Sequence, residues 1–171
     1  EGAFAKINLT LDVLGKREDG YHDLKSVMQT ISIRDDVEID IGTGKPWTLE
    51  CSNPEIPADA TNLAWKAAQV YCDAMNKDPD GIAIRITKRI PSGAGLGGGS
   101  ADAAAVLKGL NTLLGEPLSE RELLELSVRV GADVPFCLAG GTRLCRGIGE
   151  ILEYIKPLPE KTYLIVMPDF Q

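Results

Sequence analysis

The chain has 171 residues, of which 44% are hydrophobic and 25% are charged, and its mean hydropathy is -0.04. This composition is typical of one compact domain with an ordinary core and excludes a disordered chain. The 18 Lys and Arg residues against 25 Asp and Glu give a net charge of -7, the wrong sign for binding a nucleic-acid backbone. No apolar run has the length of a membrane span and the start shows no signal-peptide pattern, so we expect an intracellular protein with no membrane or nucleic-acid partner.

The cysteines and the histidine argue against a zinc site or a metal cluster. Four cysteines lie far apart, with no Cys-x-x-Cys pair and no nearby histidine: Cys51, Cys72, Cys137 and Cys145. We expect them to be buried free thiols. His22 is the only histidine, so a site built on several imidazoles is excluded.

The first third of the chain predicts antiparallel strands. Apolar and polar residues alternate from Ala5 to Val13, which predicts a strand with one apolar and one polar face. Residues 15–20 predict a charged turn, and residues 37–41 repeat the two-residue period.

The rest of the chain predicts three helices among further strands. Thr61 or Asn62 can cap the first helix, and Ile82, Ile84 and Ile86 mark a strand after it. Residues 91–99 form a glycine-dense loop before a helix for which Ser100 is the expected cap. Ser119 and Glu122 predict a capping box for a helix that stops at Gly131, and short strands follow. Because strands and helices mix without regular alternation, we expect a single α+β domain.

The glycine-dense loop is the strongest functional signal. Residues 91–101 contain five glycines between a strand and a helix, where backbone amides can approach an anion and the helix start adds positive potential. The run Gly93-x-Gly95-x-x-Gly98 matches the dinucleotide pattern, but a second helix follows instead of a parallel strand. A Walker loop is excluded because it needs a lysine after its last glycine, where Ser100 stands. The loop therefore predicts polyphosphate binding of another kind.

This loop, as Pro-x-x-x-Gly-Leu-Gly-Gly-Gly-Ser-Ala, resembles the phosphate loop of the GHMP kinases. Three further motifs, in the same order, resemble the members of that family that phosphorylate a cytidine-diphosphate-linked polyol in non-mevalonate isoprene biosynthesis: Ala5-Lys6-Ile7-Asn8-Leu9, Asp19-Gly20-Tyr21-His22 and Gly131-Ala132-Asp133-Val134-Pro135. The resemblance implies the fold of the family's N-terminal domain, which is ribosomal protein S5 domain 2-like, over residues 1–171. That fold is a mixed sheet with helices packed on one side.

The family's C-terminal domain has no counterpart here. The chain has no starting Met and its end has no closing turn, so we expect both ends to be cut and the C-terminal domain to be the partner of this one. The chain by itself is then expected to be incomplete as an enzyme.

The resemblance also implies roles for single residues. Asp133 matches the catalytic aspartate, which handles the proton of the attacking hydroxyl, and Lys6 matches the lysine beside it. Strand geometry places Lys6 and Asn8 on one face, so that a substrate could touch both. Tyr21 and His22 match the pair that binds cytosine.

The residues implied in ATP binding are Asn62, Pro91, Gly93, Gly95, Leu96, Gly97, Gly98, Gly99, Ser100 and Ala101. Helix capping explains Asn62 equally well. Ser100 could give its hydroxyl to a phosphate or to the magnesium of Mg-ATP, and no firm metal ligand is predicted. Asp102, in the first turn of the helix, is expected to be structural.

The expected function is therefore that of an ATP- and Mg²⁺-dependent small-molecule kinase in the cytoplasm of a bacterium, or in the plastid stroma if the source is a plant. Two alternatives stay open at this point: another GHMP kinase, of the homoserine or mevalonate type, and a non-catalytic nucleotide-binding fragment.

Overall fold

The computed structural model describes residues 1–18, 20–42, 44, 46–78 and 80–168. In chain order the described elements are β1 (Gly2–Lys16), β2 (His22–Asp40), β3 (Thr48–Cys51), α1 (Leu63–Ala74), β4 (Ala83–Thr87), α2 (Gly98–Leu113), α3 (Glu120–Val128), α4 (Val134–Ala139), β5 (Thr142–Gly147) and β6 (Ile151–Tyr154). None of these helices combines the length and apolar character that crossing a membrane would require.

The strands of the described residues form one six-stranded sheet, in the order β3-β4-β2-β5-β6, with β1 paired to β2 outside this path. The β3–β4 pair is parallel and the other pairs are antiparallel. The 19-residue β2 is the central element, because it pairs with β1 over most of its length, with β5 over residues 24–29 and with β4 over residues 36–40. The predicted α+β fold with a mixed sheet is thus confirmed.

The core lies between the sheet and the helices, with α2 at its centre. Tyr71, Ile84, Leu107 and Leu110 are fully buried there. Gly109 lets α2 approach the sheet closely, since a Cβ at this position would stand only 2.5 Å from Cδ1 of Ile39 on β2. A glycine inside a helix costs about 1 kcal/mol relative to alanine, so close packing explains its place here.

Strand β1 departs from the simple alternation that its sequence predicts. Its register with β2 shifts between Phe4 and Lys6 and again between Asn8 and Thr10. Each irregularity breaks the two-residue period. As a result Lys6 is buried, although it was assigned to the polar face, whereas Leu11 and Val13 are 55% and 63% exposed.

The helix starts agree with the sequence in two of three places. Asn62 caps α1 by accepting a hydrogen bond from the amide of Ala64, and Ser119 forms the predicted capping box of α3. The prediction that Ser100 caps α2 is wrong: the cap is Gly97, in the left-handed conformation. Glycine takes this conformation without steric cost, so the loop enters the helix three residues earlier than a hydroxyl cap would allow. Helix α3 also ends earlier than predicted, at Val128.

All four cysteines are free thiols. Cys72 and Cys145 are buried, while Cys51 and Cys137 are half-buried. The expectation of free thiols is confirmed, and burial is complete for two of them.

Candidate active site

The glycine loop joins β4 to α2 and leaves the start of α2 open to an anion. Gly93, Gly95 and Gly97 have φ angles of +74°, +70° and +71°, a conformation that side chains rarely adopt. No side chain caps α2. The amide donors of its first turn therefore have no side-chain acceptor. Unpaired amides of this kind are what bind phosphate at helix starts.

A cleft of about 270 Å³ runs along this loop. Its lining includes most of the residues predicted to bind ATP: Asn62, Pro91, Gly93, Gly95, Leu96, Gly97, Gly98 and Gly99. Ser100 and Ala101 do not line the cleft. The amide of Ala101 already donates to the carbonyl of Gly97 at 2.8 Å, and its side chain is buried in the core.

Asn62 serves both the cleft wall and the helix. Its Oδ1 accepts from the amide of Ala64 at 2.9 Å, and its Nδ2 donates to the carbonyl of Pro57 at 2.7 Å. These bonds fix the segment before α1 against the cleft. The helix-capping explanation of Asn62 is confirmed, and its contact with a nucleotide stays a prediction.

Lys6 is fastened to the glycine loop through its backbone. Its amide donates to the carbonyl of Leu96 at 2.9 Å. Its side chain passes over Gly97, where a Cβ would stand 3.0 Å from Cγ of Lys6. The absence of a side chain at Gly97 thus permits both the turn into α2 and the close approach of β1.

The ammonium group of Lys6 reaches the predicted catalytic aspartate. Nζ of Lys6 lies 3.2 Å from Oδ2 of Asp133, with side-chain exposures of 9% and 30%. Asp133 occupies the N-cap position of the short helix α4, which Pro135 helps to start. The structure therefore brings together two residues that lie far apart in the sequence, of which Lys6 also contacts the glycine loop.

The surroundings of Asp133 contain neutral thiols and a glycine. Burial, followed by the nearby Asp133 carboxylate, raises the pKa of Cys137 to about 12 and that of Cys145 to about 11. Both cysteines are thus protonated at neutral pH and are poor nucleophiles. Gly149, in the turn after β5, lies close to Asp133, since a Cβ there would stand 3.6 Å from Oδ1.

A chain of hydrogen bonds extends from Lys6 away from Asp133. Nζ of Lys6 donates to Oδ1 of Asn8 at 2.8 Å, which confirms that the two side chains share a face. Nδ2 of Asn8 donates to Oγ of Ser26 at 2.7 Å, and that hydroxyl donates to the carbonyl of Thr10 at 2.7 Å. Ser26 was missed by the sequence reasoning, because a lone serine in a strand carries no motif.

A buried charge network beneath the loop was also missed. Lys88 donates to the carboxylates of Asp35 and Asp102, and Oδ1 of Asp35 accepts from the amides of Arg89 and Ile90. Burial raises the pKa of Asp102 to about 7, although Lys88 opposes the shift. Desolvation by burial lowers the pKa of Lys88. The charges and hydrogen bonds of the same two carboxylates together outweigh it, so the pKa of Lys88 is raised overall.

The network ties the start of the loop to β2 and α2. Its members come from β2, from α2 and from the residues that follow β4, and no spacing in the sequence connects them. Asp102 was expected to be structural because of the helix dipole, and the structure places it in this network with Lys88.

Tyr21 and His22 lie at the tip of the β1–β2 hairpin, away from the glycine loop. Tyr21 is 55% exposed, and His22 is an exposed residue that begins β2 opposite Lys16. Asp19, the first residue of that motif, lies outside the described residues. Among the described residues no group of three or more His, Cys, Asp or Glu side chains could hold a metal ion.

The sequence profile of the GHMP kinases N terminal domain matches residues 62–141, which include the cleft, the glycine loop and Asp133. The chain is thus similar to the GHMP kinases and has the fold of their N-terminal domain. It is 48% identical over 169 residues to a 4-diphosphocytidyl-2-C-methyl-D-erythritol kinase of Clostridium botulinum (strain Alaska E43 / Type E3), covering 98% of this chain and 59% of that protein. The protein with the same name from Caldicellulosiruptor saccharolyticus is 48% identical over 167 residues, covering 98% of this chain and 57% of that protein.

Solved structures agree with this GHMP kinase fold. The crystal structure of a 4-(cytidine 5'-diphospho)-2C-methyl-D-erythritol kinase matches with a TM-score of 0.72 and 41% identity, covering 92% of this chain and 54% of that one. The mevalonate kinase of Methanococcus jannaschii matches with a TM-score of 0.70 at 16% identity, covering 91% and 55%, and supports the fold alone. The chain therefore spans between half and three fifths of the length of these GHMP kinases.

Proposed function

We propose that the complete protein containing this chain is a kinase that transfers the γ-phosphoryl group of ATP to a hydroxyl of 4-diphosphocytidyl-2-C-methyl-D-erythritol. One observation carries the proposal: the Lys6–Asp133 pair stands beside the glycine loop and is joined to it by the bond from Lys6 to Leu96. The relatives' names supply the substrate. The further length of those relatives supports a C-terminal domain as the partner of residues 1–171.

The glycine loop has the properties that a triphosphate requires. Its glycines leave the backbone open, and the start of α2 offers uncapped amide donors to negative oxygens. Bound Mg-ATP supplies the phosphoryl group with part of its charge neutralised. Among the described residues no group of three or more His, Cys, Asp or Glu side chains could hold the ion, so the metal would be held mainly by the phosphates.

Asp133 and Lys6 have different roles at the acceptor hydroxyl. The Asp133 carboxylate accepts the proton of that hydroxyl as its oxygen attacks. The Lys6 ammonium keeps the carboxylate oriented and stabilises negative charge on the oxygen. Since Lys6 is also fastened to the loop, the hydroxyl and the γ-phosphoryl group are held in one frame, and phosphoryl transfer depends chiefly on such positioning.

The remainder of the acceptor, from its polyol to its base, could lie along the β1–β2 hairpin. His22 precedes Ser26 by four residues on β2, a distance of about 13 Å by strand rise. An extended nucleotide diphosphate ester has a similar length, so its base could lie at the hairpin tip while its polyol reaches Asn8 and Lys6. Tyr21 would stack on the cytosine and His22 would bond to its edge.

A second candidate is another GHMP kinase of the mevalonate or homoserine type. The fold likeness to mevalonate kinase favours it, but that likeness extends to all members of the family. The Tyr21-His22 pair and the identity of nearly half to two 4-diphosphocytidyl-2-C-methyl-D-erythritol kinases favour the first candidate. Comparing turnover of the cytidylyl substrate, mevalonate and homoserine by the complete protein separates them.

The catalytic assignment is tested by variants that should fail in different ways. Asp133→Asn and Lys6→Met should leave ATP binding intact and lower the single-turnover rate roughly 10²–10⁴-fold, the usual worth of a positioned acid or base. Gly98→Val should weaken ATP binding itself. A Cβ there would stand 3.2 Å from Ile90 and 3.3 Å from Nζ of Lys88, so the larger side chain would displace the loop whose amides are proposed to hold the phosphates.

Calorimetric Kd values for ATP and quenched-flow rates on the complete protein give both readouts. The exposed Asp73→Asn, at the end of α1, is the matched control and should behave as wild type. A near wild-type single-turnover rate in Asp133→Asn would overturn the assignment of the catalytic aspartate. Residues 1–171 alone, assayed for ADP release, test the non-catalytic alternative.

A further inference from the structure

Two of the three register shifts between β1 and β2 lie on either side of Lys6 and Asn8. Irregularities of this kind turn side chains away from the regular pleat and are frequent beside active sites. Here they accompany a hydrogen-bond chain that begins at Lys6 and Asn8, which share a motif, and continues to Ser26 and the carbonyl of Thr10, which no motif marks. Ser26, whose side chain is the last in this series of hydrogen bonds, is completely buried.

The direction of each bond follows from counting protons. The hydroxyl of Ser26 has one proton, and that proton is used on the carbonyl of Thr10. Towards Asn8 the hydroxyl can therefore only accept, so the NH₂ end of the amide must face Ser26. The carbonyl end, Oδ1, is then turned towards Lys6, whose ammonium group can only donate.

The opposite orientation of the amide would set donor against donor. The NH₂ group of Asn8 would face the ammonium of Lys6, and Ser26 would have to leave Thr10 to donate to Oδ1. Ser26 thus favours one of the two orientations of the Asn8 amide, which occupy nearly the same space.

We propose that Ser26 is a positioning residue for phosphoryl transfer, which holds the Asn8 amide so that its oxygen fixes the ammonium of Lys6 beside Asp133. This inference rests on the proposed kinase function. Ser26 has no exposed surface, so it acts only through Asn8 and makes no contact with either substrate.

The test compares two variants of equal shape at position 26 in the complete protein. Ser26→Thr keeps the hydroxyl and Ser26→Val lacks it, so the strain of one extra methyl group is shared by both. We expect Ser26→Thr to keep a kcat close to wild type and Ser26→Val to lose about tenfold, the worth of one ordinary hydrogen bond. The Kd for ATP should be unchanged in both, since the glycine loop is not altered.

A double-mutant cycle shows whether Ser26 works through Asn8. Replacing Ser26 by alanine should lower kcat in the wild-type background and have no further effect in Asn8→Ala. Thr142→Val is the control. It removes another buried hydrogen bond of the same sheet, from the Thr142 hydroxyl to Gln29, which is not part of the hydrogen-bond chain of Lys6, Asn8 and Ser26. Thermal unfolding of every variant separates lost stability from lost rate.

Equal kcat in the Thr and Val variants, or additive losses in the cycle, would overturn the role of Ser26. If the two variants unfold below the assay temperature, Ser26→Ala compared with wild type tests the loss of the hydroxyl without added volume. Failure of the proposed function is distinguishable, because the wild-type complete protein would then not phosphorylate the cytidylyl substrate at all.

Discussion

At the level of single residues, the most unusual charge is the carboxyl group of Asp102, which lies beneath the glycine loop beside Lys88 and Asp35. One ammonium group faces two carboxylates in a place that water hardly reaches. Burial raises the pKa of Asp102 to about 7, and its Oδ1 atom is buried without a hydrogen-bond partner. The loop is thus held by a group that changes its charge near neutral pH.

This raised pKa predicts how stability depends on pH. The carboxyl of Asp102 ionises near pH 3.8 when unfolded and near pH 7 when folded. Between these values the folded state keeps a proton that the unfolded state has released, so a rising pH favours unfolding. Relative to Asp102→Asn, the wild-type free energy of unfolding should fall by about 1 kcal/mol per pH unit from pH 5 to pH 7 and then level off.

Urea unfolding of the nucleotide-free protein in EDTA, at half-unit steps from pH 5 to pH 8, measures this difference. The exposed Asp80→Asn serves as the control and should show the pH dependence of the wild type. A constant difference between wild type and Asp102→Asn across the range would mean that Asp102 is already ionised in the folded protein at pH 5.

Single residues also show what the sequence can supply. Lys6 and Asp133 could be predicted because each stands in a motif, and their contact confirms the pairing. Ser26, Asp35 and Lys88 could not, because their importance comes from burial and from hydrogen bonds between separate elements. No local pattern records that a serine or a lysine will be buried.

At the level of elements, the turn between β5 and β6 forms a wall beside Asp133. Gly149 in this turn has a φ of +122° and lies where a Cβ would stand 3.4 Å from the carbonyl of Ala132 and 3.6 Å from Oδ1 of Asp133. The turn is held by Glu150, which accepts a bond from the amide of Ile148 at 2.7 Å. A glycine here leaves room beside Oδ1 of Asp133.

Gly149→Ala should therefore slow phosphoryl transfer. The methyl group would occupy space beside Oδ1 and displace the acceptor hydroxyl, and a misplacement of this size lowers kcat roughly tenfold or more. Backbone strain at the positive φ should also cost about 1–3 kcal/mol of stability. Gly141→Ala shares that strain, with a φ of +79° and no atom near its Cβ, and should lose stability without losing kcat.

Steady-state kinetics and thermal unfolding of the two alanine variants decide the point. Equal losses of kcat in both would mean that general strain, and not the position beside Asp133, is responsible.

The elements also show where sequence patterns stop being sufficient. Capping chemistry predicted the start of α1 and of α3, because a side chain performs the capping in both. At α2 the N-cap position is a left-handed glycine that has no side-chain acceptor, so the hydroxyl of Ser100 was the wrong signal. The shifts of β1 follow from its pairing with β2, which a period of two cannot reveal.

At the level of the whole molecule, the candidate site is assembled from segments at the two ends of one hairpin. The glycine loop lies beside Lys6, near the start of β1, whereas Tyr21 and His22 lie at the hairpin tip. The motifs predicted which residues take part and in what order. Their separation depends on the length and pairing of β1 and β2, which only the fold supplies.

This separation predicts that recognition of the acceptor can be changed without affecting the nucleotide. In His22→Ala, the affinity of the complete protein for the cytidylyl substrate should fall by about 1–3 kcal/mol, the cost of one lost hydrogen-bond partner. The Kd for ATP should be unchanged, because none of the described residues that line the cleft lies on the hairpin tip. Asp12→Ala, an exposed change on the same hairpin, is the control and should leave both affinities at wild-type values.

Calorimetric titration of His22→Ala with each ligand separately gives both affinities. Cytidine diphosphate alone should show the same loss as the full substrate, since the base is the part that meets the hairpin tip. If ATP binding weakens as much as acceptor binding, His22 acts on the fold of the whole domain. If neither affinity changes, the cytosine lies elsewhere, and the polar groups around Asn8 become the next place to seek it.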